Sequence, residues 1–441
     1  MNRRRRKLLG AAVAAATTPL GVPAVSTALS VAAPIARATA PARCPAVASM
    51  QGGIQLIGNP LPVVQHLAAV AQACSHPGFK VDFKLTPQAR SEIERAFGAT
   101  ARSPFDAAVV SNGAFTNLYS RRQLAPLTDL VERFGARYRL EERMLVRVDG
   151  EVMAIAFMQN TQNLVYRQDL FERHRLAVPA TYAELAEAAA TLRSREPDLP
   201  FPLAQGYAKG FDIAVEFTNV LGGLDASFFE PGSARPAFHR AAGVQAVAVM
   251  RSMLPFMTPN ALASNTDDVM NQLQQGKAAI GVLWASRASR LDDPVASRVV
   301  GKMAFAPAPA VRPGGPSAAH LWWDGVVLPH QLAGGAARRE AIFHVLMEML
   351  GEASVRAGND LTIWVRSAYR PGRFGTGVEL AQKAGAKPWP AEPFFSLAHA
   401  EVGKVLPDAL KDERPTAAVL EAAAAAYRRL AAENGFIGGG A

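Results

Sequence analysis

The chain has 441 residues, beyond the ~250–300 at which a single core usually divides, so two domains are expected. Apolar residues at 49% and charged residues at 19% describe a soluble, globular protein with ample core material. The net charge of +10 does not indicate a nucleic-acid binder: residues 1–38 hold six basic residues and no acid, which leaves +4 for the remainder, spread over scattered pairs such as Arg121-Arg122, Arg338-Arg339 and Arg428-Arg429.

The first 38 residues read as an export signal: a basic start, a weakly apolar Ala-rich stretch and an Ala36-Arg37-Ala38 cleavage site. Arg5-Arg6-Lys7-Leu8-Leu9 resembles a twin-arginine signal, without the usual Ser or Thr before the arginine pair. Pro19, Gly21 and Pro23 interrupt the stretch and disfavour an uncleaved spanning helix. The two cysteines, Cys44 and Cys74, are disulfide candidates in an oxidising compartment; two buried thiols are the alternative.

Strand-like and helix-like patterns then alternate. Gly53–Ile57, Phe79–Phe83 and Phe105–Val110 read as strands, and Val63–Cys74 and Ser91–Phe97 as helices between them. This order predicts an α/β unit with a largely parallel sheet. Thr181 with Glu184 has the capping-box form and predicts a helix from Tyr182 to Arg193. Ala278–Trp284 reads as a buried strand, the Pro/Gly-rich "APAPAVRPGGPSAA" as a connector, and Ala417–Ala432 as a strong Ala-rich helix.

Catalytic and cofactor signatures are absent. The sequence has no GxxxxGK[ST] loop, no GxGxxG opening a helix, no HExxH, no CxxC and no GxSxG. No metal ligand set or cofactor is expected. A triad assembled from distant residues stays open, since triads are recognised by geometry.

"GEVMAIAFMQNTQNLVYRQDLFERHRLAVPATYAELAEAA" resembles the bacterial extracellular solute-binding proteins of ABC importers, the carbohydrate-binding group in particular. The resemblance rests on Phe157, Tyr166, Asp169, Leu170, Phe171, Leu176, Pro179, Thr181, Glu184 and Leu185; Ala156 and Tyr182 depart from the usual proline and tryptophan. "FDAAVVSNGAFTNLYSRRQLAPLTDLV", "NQLQQGKAAIGVLWASR" and "WWDGVVLP" are similar to further parts of that family in the same order. The resemblance implies a two-lobe periplasmic-binding-protein fold with a hinge and an interlobe ligand cleft. Crossings would fall near Ala154–Phe157 and Ala304–Ala310. Lobe one would comprise 45–155 plus 311–350, and lobe two 156–310 plus 351–441.

A sugar site needs flat aromatic faces, and planar polar groups for the hydroxyls, because an unpaired buried polar group costs ~1–3 kcal/mol. The candidates are Asn160, Thr161 and Gln162 in the polar run, Trp284 at a strand end, and Trp322, Trp323 and Asp324. Ser111 and Asn112 follow a strand's C-terminal end, where open α/β sheets bind ligands. Tyr207, Trp364 and Arg366 are weaker candidates. For each, a packed or solvated structural role is the competing reading. The resemblance implies a monomeric, non-enzymatic periplasmic receptor that passes a small solute, a carbohydrate by class, to permease subunits in the inner membrane. An exported glycoside hydrolase using the same cleft is the alternative.

Overall fold

The computed structural model describes residues 44–332, 335–412 and 414–437. The export-signal reading at 1–38 lies outside the described residues. The first sheet opens with β1 (Gly52–Gly58), β2 (Phe79–Leu85), β3 (Ala107–Ser111), β4 (Leu124–Ala125), β5 (Leu145–Val148) and β6 (Glu151–Asn160). The chain then builds a second sheet from β7 (Gln162–Arg167), β8 (Leu203–Ala204), β9 (Ile280–Trp284) and β10 (Met303–Pro307). It returns to the first sheet with β11 (His320–Pro329), β12 (Ile363–Trp364) and β13 (Lys387–Pro388).

The nine-stranded first sheet has the central order β12-β6-β11-β3-β1-β2, and the four-stranded second sheet runs β10-β7-β9-β8. β1 pairs in parallel with both β2 and β3, with the helix Pro62–Gln72 linking β1 to β2. β2 alternates buried and open positions through Phe79-Lys80-Val81-Asp82-Phe83, the mark of a strand with one face on the core. β11 lies antiparallel between β3 and β6 and slips register at Asp324/Gly325.

Each sheet has its own core. One cluster joins Ile54, Leu56, Val81, Val326, Ile342 and Phe343 in lobe one. Another joins Leu164, Leu185, Phe217, Val247, Leu406 and Tyr427 in lobe two. Thr181 and Glu184 close both bonds of the capping box, which fixes the start of the helix Tyr182–Arg195 against the second core. The last two long helices, Phe395–Lys411 and Thr416–Glu433, pack on the lobe-two helices Phe211–Gly223 and Ala241–Met253.

Two boundaries differ from the sequence expectation. β6 stays in the first sheet to Asn160, because Gln159 and Asn160 still pair with Trp323 and Trp322, so the first crossing is at Thr161. The stretch after 350 does not pass directly to lobe two: Val355 joins the first core, and Ile363-Trp364 pairs with Gln159-Met158. Only from the helix Thr376–Lys383, packed on β10, does the chain rejoin lobe two. Cys44 and Cys74 are joined by a disulfide, which ties the first described residue to the chain just beyond the helix Pro62–Gln72. No helix among the described residues is long and apolar enough to cross a membrane.

Candidate functional site

Between the two sheets lies a cleft of about 520 Å³. Its lobe-one wall is Arg90 together with Ser111, Gly113, Thr116 and Asn117 at the C-terminal end of β3 and on the helix Asn112–Ser120. Its lobe-two wall is Phe211 with Trp389, Glu392, Phe395 and His399, and Trp322 from β11 stands between the walls.

Aromatic rings form the centre. Trp322 and Trp389 lie 4.1 Å apart between ring centroids at a tilt of 39°, and Trp284 meets Trp322 edge-on at 5.5 Å. His399 sits among Phe211, Trp389 and Phe395 at 5.3–5.6 Å. Local backbone explains how these rings meet. Gly210 adopts φ +101°, a conformation that favours glycine, and turns the chain into the helix that begins at Phe211. Gly403 packs against it so closely that a Cβ there would stand 2.2 Å from the Gly210 carbonyl oxygen. The two helices can therefore touch, which places Phe211 and His399 on one wall. Phe211 remains 54% exposed, a large apolar ring open to the cleft.

The wall carries unmet hydrogen-bonding capacity. Trp322 Nε1, Glu392 Oε2 and His399 Nε2 are buried without a partner among the described residues. Burial first, and the charge of Arg90 second, push the His399 imidazole down to about 3, so it is neutral at physiological pH. Arg90 pairs with Glu94 at 3.1 Å and Lys404 pairs with Glu401. Among the described residues Glu392 has no ion-pair partner and is the only acid lining the cleft. Two carboxylates flanking a bond, which glycoside hydrolysis requires, are not brought together there.

The polar run after Met158 does different work. Asn160 Nδ2 donates to Ser286 Oγ at 2.9 Å, and Asn160 Oδ1 accepts from the Ser286 and Thr161 amides. Gln162 Nε2 donates to Glu216 Oε1 at 3.0 Å, and Gln162 Oε1 accepts from Asn219. Asn219 Oδ1 in turn bonds His320 Nδ1 at 2.9 Å, so one helix is tied to both strands beside the crossings. Asn163, in the amide orientation that satisfies it, donates to the Gly377 carbonyl at 3.1 Å. Thr161 is 0% exposed, and its Oγ1 has no partner among the described residues. Asn160, Thr161 and Gln162 therefore do not line the cleft; the Asn160 and Gln162 side chains fasten the crossing to lobe two, where buried amides must find partners, and Thr161 is buried between them.

Of the other sequence candidates, Ser111 and Trp322 line the cleft and Trp284 backs Trp322. The Ser111 hydroxyl also caps its helix, accepting from the Ala114 amide, while Asn112 is buried and bonds the Gly113 amide. Trp323 faces the other way, edge-on to Phe115 at 5.2 Å and packed on the lobe-one cores, as strand alternation requires of the neighbour of Trp322. Asp324 is half-buried without a hydrogen-bond partner among the described residues, and burial pushes its carboxyl up to about 7; it is not part of the cleft wall. Tyr207 is a core residue, 0% exposed, whose hydroxyl donates to the Met250 carbonyl at 3.1 Å. Trp364 is buried and donates to the Gly358 carbonyl. Arg366 is 4% exposed and holds the carbonyls of Tyr138, Arg139 and Leu350 inside lobe one. Phe211, Trp389, Glu392 and His399 escaped the sequence reading. Their one local signal is Pro-bracketed Trp389 within "KPWPAEPFF".

Residues 66–345 match the model of the bacterial extracellular solute-binding protein family. Among solved structures, the chain is similar to an ABC transporter solute-binding protein from Agrobacterium radiobacter K84 in complex with ribitol, at 18% identity and a TM-score of 0.73 over 86% of this chain and 99% of that one. Maltose-bound MalE3 of T. maritima matches at 17% identity and a TM-score of 0.70, over 86% and 99%. A solute-binding protein from Agrobacterium vitis S4 with bound D-mannitol matches at 17% identity and a TM-score of 0.68, over 87% and 99%. Among curated proteins, none matches the sequence.

Proposed function

We propose, because the chain belongs to the bacterial extracellular solute-binding protein family, that it is the exported receptor of an ABC importer for a small hydroxylated solute of the sugar or polyol class. One observation carries this reading: an aromatic cleft whose walls come from both lobes, with buried polar atoms that have no partner among the described residues. Ring faces at Trp322 and Trp389 suit the apolar face of a sugar or polyol. Bound ribitol, maltose and D-mannitol in proteins of similar fold agree with that class.

The lobes close on the solute by hinge motion about the crossings, and the closed form docks on the permease. Chemistry on the solute is not required; the work is capture and release. The N-terminal 38 residues act as a cleaved signal that places the receptor in the periplasm, by the twin-arginine route, as a monomer.

A melting-temperature panel tests this. The mature chain is heated with sugars, sugar alcohols, glycerol phosphates, polyamines and amino acids in turn. A solute at 100 times its Kd adds ~2.7 kcal/mol of stability and raises the Tm. No shift with any solute, together with turnover of one of them, overturns the receptor reading.

A further inference from the structure

We infer that the solute presents a protonated amine to Glu392 beside its hydroxyls, placing it in the amino-sugar or amino-polyol class; this rests on the cleft being the solute site. Three groups at the cleft carry formal charge: Arg90, Glu392 and Lys404. The two cations are already neutralised, by Glu94 and Glu401, and their side chains are 58% and 61% exposed to water. Glu392 is the reverse case. Its carboxylate has no ion pair among the described residues, and one of its oxygens is buried with no hydrogen-bond donor.

A carboxylate oxygen sealed from water is costly unless a donor reaches it, and a charged donor meets the need best. Its surroundings point the same way. Trp389 stands three residues before Glu392, with Trp322 tilted against it at 4.1 Å and Phe211, Phe395 and His399 closing the ring group. Aromatic faces beside an unpaired carboxylate attract a cation through the ring quadrupole as well as through charge. His399, 7% exposed and neutral, adds no competing positive charge and leaves Nε2 for a hydroxyl. Trp322 Nε1 asks for an acceptor. One molecule with an ammonium group and flanking hydroxyls satisfies all three.

Calorimetric titration of the mature chain with matched sets tests the inference. The sets are D-glucosamine, D-glucose and D-glucuronate; D-galactosamine, D-galactose and D-galacturonate; and N-methyl-D-glucamine, D-sorbitol and D-gluconate. In at least one set the amine binds roughly tenfold or more tighter than its neutral parent, and the acid binds weakest. Glu392→Gln, with an unchanged melting temperature, removes that preference, so that the amine binds no tighter than its neutral parent. Without any variant, raising the salt concentration weakens the amine and spares the neutral parent. Equal binding of amine and parent, or a preference that survives Glu392→Gln, overturns the inference and leaves the receptor reading standing. No binding by any member of the sets overturns the inference, and the wider solute panel then decides the receptor reading separately.

Discussion

Gln162 Nε2 donates to Glu216 Oε1 at 3.0 Å inside lobe two, where Glu216 is 1% exposed. Burial, reinforced by the charge of Asp212 and opposed by the Gln162 bond, pushes the Glu216 carboxyl up to about 8. It is protonated in the folded protein at neutral pH. The folded state binds this proton more tightly than the unfolded one. The resulting stability is therefore complete below the unfolded value near 4.5 and is lost as pH rises through about 8. Glu216→Gln keeps an acceptor for Gln162 and has no proton to lose. The wild-type Tm should therefore fall relative to the variant's between pH 5 and pH 9. A difference that stays constant across that range contradicts the assignment.

Trp322 and Trp323 are neighbours with opposite duties. Trp389→Ala, which removes a ring packed on Trp322, should weaken solute binding by tenfold or more and also cost about 3–5 kcal/mol of stability, since Trp389 is 6% exposed in the lobe-two core. Trp323→Ala should also cost stability, about 3 kcal/mol through a cavity beside Phe115, but should spare affinity. Urea unfolding and calorimetric titration on both variants separate the two effects. Loss of affinity in Trp323→Ala alone would place the cleft on the wrong face of β11.

Arg366 is a buried clamp on three carbonyls, not a ligand group. Arg366→Met should cost about 2–4 kcal/mol, because each abandoned carbonyl loses a charged donor. Solute affinity measured below the lowered Tm should not change. An affinity loss with intact stability would return Arg366 to the site.

The disulfide closes a loop with a sequence separation of 30. Chain entropy assigns such a loop roughly 3–4 kcal/mol. Replacing Cys44 and Cys74 together by Ser should lower the unfolding free energy by about that amount, and a reductant should then have no further effect. An unchanged midpoint in urea would show that the bond constrains little.

Much of the fold was legible because local rules and tertiary packing agree. The Thr181–Glu184 capping box, the alternation of Phe79–Phe83 and the Tyr166–Phe171 block each hold in the structure. The site was less legible, for two physical reasons. A period of two says that Trp322 and Trp323 face apart, not which one meets the cleft; that depends on which helices cover each face of β11. An uncharged polar run looks the same whether it meets a ligand or buried partners. For Asn160, Gln162 and Asn163 the partners are Ser286, Glu216, Asn219 and Gly377, all distant in the chain. Trp389, Glu392 and His399 reach the cleft only because the helix Phe395–Lys411 doubles back onto the helix Phe211–Gly223.

On the proposed function, one solute binds between the lobes against Trp322 and Trp389. Calorimetric titration of the mature wild type and of Trp389→Ala, with the solute that most raises the Tm, is the decisive measurement. Saturable binding of one solute per chain is expected in the wild type, with at least a tenfold loss in the variant. Saturable binding of equal strength in both proteins would contradict it.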